Sequence, residues 1–117
     1  MKTSPRDLAG LALLVAVVMG ASQWWAAHTQ NAVGAQVASL ARPGDIRMLS
    51  SDNCVVCVSA RRWFEEHAVA YTECSIERDI ACKTAYETTG LRGTPVLMVR
   101  GRPQLGFSPL RLRDALG

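Results

Sequence analysis

Cys54 and Cys57, separated by Val55 and Val56, are the residues of this 117-residue chain best suited to chemistry. Two thiols at this spacing can close a small disulfide, bind a metal, or sit unused in a core. Thiol–disulfide exchange needs one thiolate that attacks and a second thiol that resolves the mixed disulfide. A helix N-terminus supplies the first, because its free amides and positive dipole end stabilise negative sulfur. In Cys-x-x-Cys motifs the thiol pKa falls from about 8.5 to between roughly 3.5 and 7.5. The spacing makes Cys54, nearest the helix start, the attacking sulfur, and Cys57, one turn down, the more buried resolver. Asp52 opposes this, since a nearby carboxylate disfavours a thiolate. Arg61, one turn beyond Cys57, is the sequence's candidate to offset it.

Cys74 and Cys82 form a second pair. Four cysteines allow three pairings, and sequence does not choose among them. A structural disulfide between Cys74 and Cys82, closing a short loop, is the favoured arrangement and would contribute roughly 2–3 kcal/mol in the chain-entropy model. The sharper alternative, a second redox pair relaying to Cys54 and Cys57, lacks a helix-start motif of its own.

These side chains need elements to hold them. Residues 46–50 form a short first strand, with Ile46 and Met48 on one face. Ser51-Asp52-Asn53 is a polar cap, and a helix begins at Cys54. Val56, Ala60, Trp63, Phe64 and His67 recur on one face of that helix, with the aromatic pair and His67 serving packing rather than binding. Residues 69–76 read as a second strand containing Cys74. Asp79 caps a second helix from Ile80 to about Thr89, which Gly90 ends. Thr94-Pro95 precedes the apolar run of residues 96–99, suited to a strand buried on both faces. Arg100-Gly101-Arg102 turns a hairpin into residues 103–107. Ser108-Pro109 starts a last helix through Leu110, Leu112, Ala115 and Leu116. The order is β-α-β-α-β-β-α, an α/β (α+β) fold with a four-stranded mixed sheet flanked by helices.

Ahead of this lies a different kind of segment. Residues 8–19 carry no polar side chain, and the apolar run continues to Ala27 with only Ser22 and Gln23 interrupting. As a helix, residues 8–27 span roughly 30 Å, enough to cross a bilayer. Lys2 and Arg6 lie on its N-terminal side, and Trp24 and Trp25 fall where an aromatic belt would be. Residues 1–27 are therefore expected to be a transmembrane anchor or signal peptide. Gly20-Ala21-Ser22 offers a cleavage site, while the tryptophan pair favours a retained anchor. By charge asymmetry the bulk of the chain is exported. The expected location is membrane-anchored with the C-terminal domain extracytoplasmic, in the periplasm, or secreted there after cleavage. Export places the cysteines in an oxidising compartment. Residues 28–44 are a linker, with Val33, Val37 and Leu40 at helical spacing and Arg42-Pro43-Gly44 stopping any helix. His28 is a solvated linker residue. Residues 45–117 are the globular domain.

Composition narrows the function classes. The net charge is +3, with Arg61-Arg62 the one adjacent pair of cations, so no basic stripe implies nucleic acid. At 49% apolar residues a core is attainable and wholesale disorder is not expected.

Cys54-Val55-Val56-Cys57 after a strand, Thr94-Pro95 before one, and Gly106-Phe107 before the last helix together resemble the glutaredoxin branch of the thioredoxin superfamily, across residues 45–117. The resemblance implies a thioredoxin/glutaredoxin-like fold and thiol-disulfide oxidoreductase activity. It also implies a cis Pro95 abutting the active-site sulfurs, and backbone pairing of a substrate with Thr94. Glutaredoxins typically carry Pro-Tyr or Pro-Phe between the cysteines and paired acidic residues after a Gly-Gly, which serve glutathione. Here Val55-Val56 and Leu105-Gly106-Phe107-Ser108-Pro109 stand instead, closer to the glutaredoxin-like redoxins that serve ribonucleotide reductase. No resident cofactor is implied, no metal, and the case for glutathione is weakened. Arg61 and Arg92 are candidates to hold a substrate carboxylate. The superfamily's oxidants tend to carry a histidine between the cysteines. Its absence leans towards a reductant or exchange protein.

The expected partners are a disulfide-containing protein or small-thiol substrate, an upstream thiol reductase or donor, and the membrane. The competing functions are a metal-binding or delivery module using the Cys54 and Cys57 thiolates, and a redox-inactive interaction domain.

Overall fold

The computed structural model describes residues 2–117, which form two compact units, one up to Ala32 and one from Val33 to Gly117. A single helix, α1 (Pro5–Leu40), contributes to both. In the first unit its leucines, valines and both tryptophans are exposed on every face. A helix that is apolar all round without a protein partner suits a lipid environment. It is long and apolar enough to cross a membrane by length and composition. Trp24 stacks on His28, one turn on, with ring centroids 5.3 Å apart.

The segment expected as a linker is thus helical as far as Leu40, and its last two turns belong to the globular unit. Val33 and Val37 are buried there. Gly34 lies against the ring of His67, so that a Cβ at this position would overlap the imidazole. The periodicity of Val33, Val37 and Leu40 is therefore that of a core face.

The second unit contains β1 (Ile46–Ser50), α2 (Val55–Glu66), β2 (Thr72–Ser75), α3 (Ile80–Thr88), β3 (Val96–Val99), β4 (Arg102–Leu105) and α4 (Pro109–Leu116). The four strands form one mixed sheet in the order β2-β1-β3-β4. β1 pairs parallel with β2, placing Leu49 opposite Cys74, and antiparallel with β3, placing Leu49 opposite Val96. The β3–β4 pair is a hairpin whose two turn residues, Arg100 and Gly101, both have positive φ, the geometry a two-residue hairpin favours.

Alternation along the strands sorts side chains to two faces. Ile46, Met48, Leu97 and Val99 join Phe64, Ala60, Leu112, Leu116, Val33 and Val37 in the main core. Leu49 and Val96 point the other way, onto Cys82 and, around it, Ala85, Tyr86 and Leu91. Helices α2, α4 and the end of α1 thus cover one face and α3 the other. The central strands are apolar on both sides because each side is covered.

Two expectations need correction. The buried stripe of α2 runs through Cys57, Ala60 and Phe64, at i, i+3 and i+7, whereas Val56 is 47% exposed. The helix also starts one residue later than expected, at Val55, and its inward face passes through Cys57 instead of Val56. The second strand pairs only over Thr72–Ser75. Ala68 takes a positive φ and the Val69 amide donates back to the Phe64 carbonyl, so the chain is still closing α2 when it reaches Val69.

Candidate active site

The Ser51-Asp52-Asn53 turn leads directly into Cys54, which is itself the N-cap of α2, with extended backbone at φ −128° and ψ 103°. Its Sγ accepts a hydrogen bond from the Cys57 amide at 3.1 Å. A sulfur thus takes the place of the usual capping oxygen, at the end of the helix where free amides concentrate. Cys54 is half-buried, whereas Cys57 is fully buried. The two sulfurs are joined in a disulfide, with Cα atoms 5.2 Å apart. Val55 beside them is 83% exposed.

The neighbouring loop is held against this turn. The Thr94–Pro95 peptide is cis, and Pro95 is buried. Thr94 Oγ1 and Ser51 Oγ lie 3.0 Å apart, linking the loop before β3 to the turn before Cys54. The Pro95 carbonyl accepts from the Gly106 amide at 2.8 Å. Gly106 has φ +79°, a conformation that favours glycine. Phe107 turns inward, edge-on to both Trp63 and Phe64, with centroids 5.5 and 5.6 Å away. Its ring belongs to the packing that supports α2.

The two candidate arginines are placed differently. Arg61 makes a two-pronged contact with Glu73: Nε donates to Oε1 at 2.7 Å, and Nη2 pairs with Oε2. Glu73 also accepts from Ser50 Oγ at 2.9 Å. The guanidinium donors, reinforced by Ser50, hold the Glu73 carboxyl below its ordinary pKa against the opposing effect of burial. Glu73 likewise raises the pKa of Arg61. Arg61 is therefore engaged with β2 and does not reach Asp52 as its compensating charge. Arg92 is exposed in the loop before β3.

Asp52 is instead paired with Arg78, Nη2 to Oδ1 at 3.0 Å. Ser75 Oγ, with one proton to share between them, lies 3.2 Å from Asp52 Oδ1 and 3.0 Å from Glu77 Oε2, and the Asp52 amide donates to Glu77 Oε2 at 3.0 Å. Ser75, Glu77 and Arg78 carry no motif. They meet Asp52 because the parallel register sets Ser50 opposite Ser75, and sequence gives no sign of that register. Beyond them Cys74 and Cys82 are joined in a second disulfide, with Cα atoms 6.0 Å apart. Cys82 is fully buried, and Arg47 Nη2 lies 3.5 Å from Cys74 Sγ.

A family model for glutaredoxin matches residues 46–103, which contain both cysteine pairs and Pro95. The glutaredoxin-like protein NrdH of Lactococcus lactis subsp. cremoris is 27% identical over 67 residues, covering 57% of this chain and 93% of that protein. The chain is a glutaredoxin-like member of the thioredoxin superfamily. Solved structures agree on the fold. The thioredoxin-like protein BC3987 superposes with a TM-score of 0.54 at 24% identity, over 61% of this chain and 99% of that one. The Escherichia coli NrdH-redoxin, a glutaredoxin-like protein described as having a thioredoxin-like activity profile, gives 0.53 at 22% identity, over 59% and 91%. The glutaredoxin-like chain is a thiol-disulfide oxidoreductase.

Proposed function

We propose that the glutaredoxin-like domain reduces or exchanges disulfides of exported proteins or small thiols, with Cys54 as nucleophile and Cys57 as resolver. The asymmetry of the pair carries this reading: Cys54 is half-exposed at the helix cap with an amide on its sulfur, and Cys57 is fully buried behind it. In the reducing direction the Cys54 thiolate attacks one sulfur of the client disulfide. The client S–S bond breaks, a Cys54–client disulfide forms, and the departing client sulfur takes up a proton. Cys57, deprotonated, then attacks the Cys54 sulfur. The second client thiol leaves, and the Cys54–Cys57 disulfide holds the oxidation that the client has lost. Two electrons pass from the dithiol to the client, and an upstream thiol donor restores them.

Thr94 and Pro95 form the wall along which a client chain lies, and Gly106 sets the height of that wall through its bond to Pro95. The exposed Val55 and the absence of an acidic pair after Gly106 favour a protein client over glutathione. Exposed Arg92 is the free candidate for a substrate carboxylate, and Phe107 supports the groove from behind. The apolar helix and its flanking charges favour an anchored protein whose redox domain lies outside the cytoplasm.

The test is a redox titration of the full chain in detergent against glutathione buffers, beside Cys54→Ser and Cys57→Ser. A reversible two-electron couple lost in both variants is expected, with client mixed disulfides accumulating on Cys57→Ser. A chain with no such couple, or one that persists without Cys54, overturns the proposal.

A further inference from the structure

The Cys74–Cys82 disulfide closes a loop that contains Ser75, Glu77 and Arg78. Those three residues hold Asp52, two positions before Cys54, by an ion pair and two hydrogen bonds. Asp52 is thus held beside Glu77, two residues before the nucleophile, with the Arg78 guanidinium paired to its carboxylate. A carboxylate near a thiolate raises its free energy, and a paired cation relieves that. Stabilising the thiolate favours the dithiol state of the pair over the disulfide. The loop that supplies the guanidinium has its strand end and its first helical turn tied together covalently, and Asp79 caps that turn through the amides of Ala81 and Cys82.

We propose that Arg78 is a positioning residue for the Cys54–Cys57 reaction, acting through Asp52, and that the Cys74–Cys82 disulfide serves the same reaction by holding Arg78 in place. This rests on the proposed role of Cys54 as nucleophile. Arg78 is 77% and Asp52 46% exposed in their side chains, so solvent screens the pair and the effect is modest. It is directional. Without Arg78 the uncompensated Asp52 carboxylate shifts the Cys54–Cys57 equilibrium towards the disulfide, making the protein more reducing.

The experiment equilibrates the full chain in detergent with glutathione buffers, alkylates it, and reads the oxidised-to-reduced ratio on the peptide carrying Cys54 and Cys57 by mass. Arg78→Gln is expected to raise that ratio roughly two- to fivefold at fixed buffer composition. Cys74→Ala/Cys82→Ala is expected to raise it in the same direction. In an Asp52→Asn background neither change should move it, whereas a purely structural role would leave the ratio insensitive to Asp52. If the double cysteine variant does not fold, the Arg78→Gln and Asp52→Asn cycle decides alone. An unchanged ratio in Arg78→Gln, or an equal shift with and without Asp52, overturns the inference. Loss of the two-electron couple in wild type would instead overturn the functional proposal beneath it.

Discussion

Ser51 Oγ and Thr94 Oγ1 lie 3.0 Å apart, 43 residues apart in the chain, and join the turn before the first active cysteine to the loop before the cis proline. Neither hydroxyl is needed to form the strand or the turn that carries it. Their contact ties the turn that carries Cys54 to the loop that carries Pro95.

Ser51→Ala is therefore expected to cost about 0.5–1.5 kcal/mol in chemical denaturation, the usual net worth of a side-chain hydrogen bond. Reduction of a protein disulfide should weaken mainly through a higher KM, because the proposed client groove beside Pro95 widens while the cysteines remain. An unchanged KM would show that the bridge has no part in seating the client.

Gly34→Ala should destabilise the domain by roughly 1–3 kcal/mol, the range for an overpacked contact, because the new methyl meets the His67 ring. Removing that ring by His67→Ala in the same chain should recover most of the loss. Denaturation midpoints of the two singles and the double check this, and additive losses would refute it.

The Arg61–Glu73 pair predicts a pH dependence. Glu73 has a folded pKa below its unfolded value, which is about 4.3 in the free residue. Stability from this pair is present in full above the unfolded value and is lost as pH falls through the depressed folded one, since the unfolded chain then binds the extra proton first. Melting temperatures of wild type and Glu73→Gln should differ at neutral pH and converge in acid. Parallel curves down to strongly acidic pH would contradict the sign.

Graded reductant should open the two disulfides in sequence. Attack on a disulfide needs access to a sulfur, and each pair has one fully buried member, Cys57 and Cys82. Their partners differ in setting: Cys54 caps a helix beside the exposed Val55, whereas Cys74 lies within a paired strand against Arg47. Alkylation followed by mass measurement should find a two-thiol species, with Cys54 and Cys57 modified, well before four thiols appear. Simultaneous opening would show that the sheet gives Cys74 no protection.

Much of the fold is legible in the sequence because local chemistry specifies it. Asp79 and Ser108-Pro109 announce the starts of α3 and α4, Gly90 the end of α3, and the apolar run of residues 96–99 the covered central strand. The cysteine spacing and its place at a helix start likewise point to exchange chemistry. What escapes is whatever depends on register or on a one-residue phase. Cys54 serves as the cap and the helix begins at Val55, with Cys57 on its inward face and Val56 towards solvent. Arg61 pairs with Glu73 and Arg78 with Asp52 because β1 and β2 run parallel with Ser50 beside Ser75. Nothing in either segment states that offset. Residues 28–40 read as a connector because the core that Val33 and Val37 enter is assembled from chain that comes later.

The burial of Val37 sets a boundary condition on biogenesis. The core closes only when residues 33–40 share an aqueous phase with residues 45–117, since Val33 and Val37 pack among Phe64, Leu112 and Leu116. Any bilayer that takes up the apolar helix must therefore release the polypeptide upstream of Val33. A cut at Gly20-Ala21-Ser22 would leave every core residue in the mature product, whereas a cut after Val37 would remove two of them. Proteolytic trimming from the N-terminal side should consequently stall before Val33 for as long as the domain stays folded.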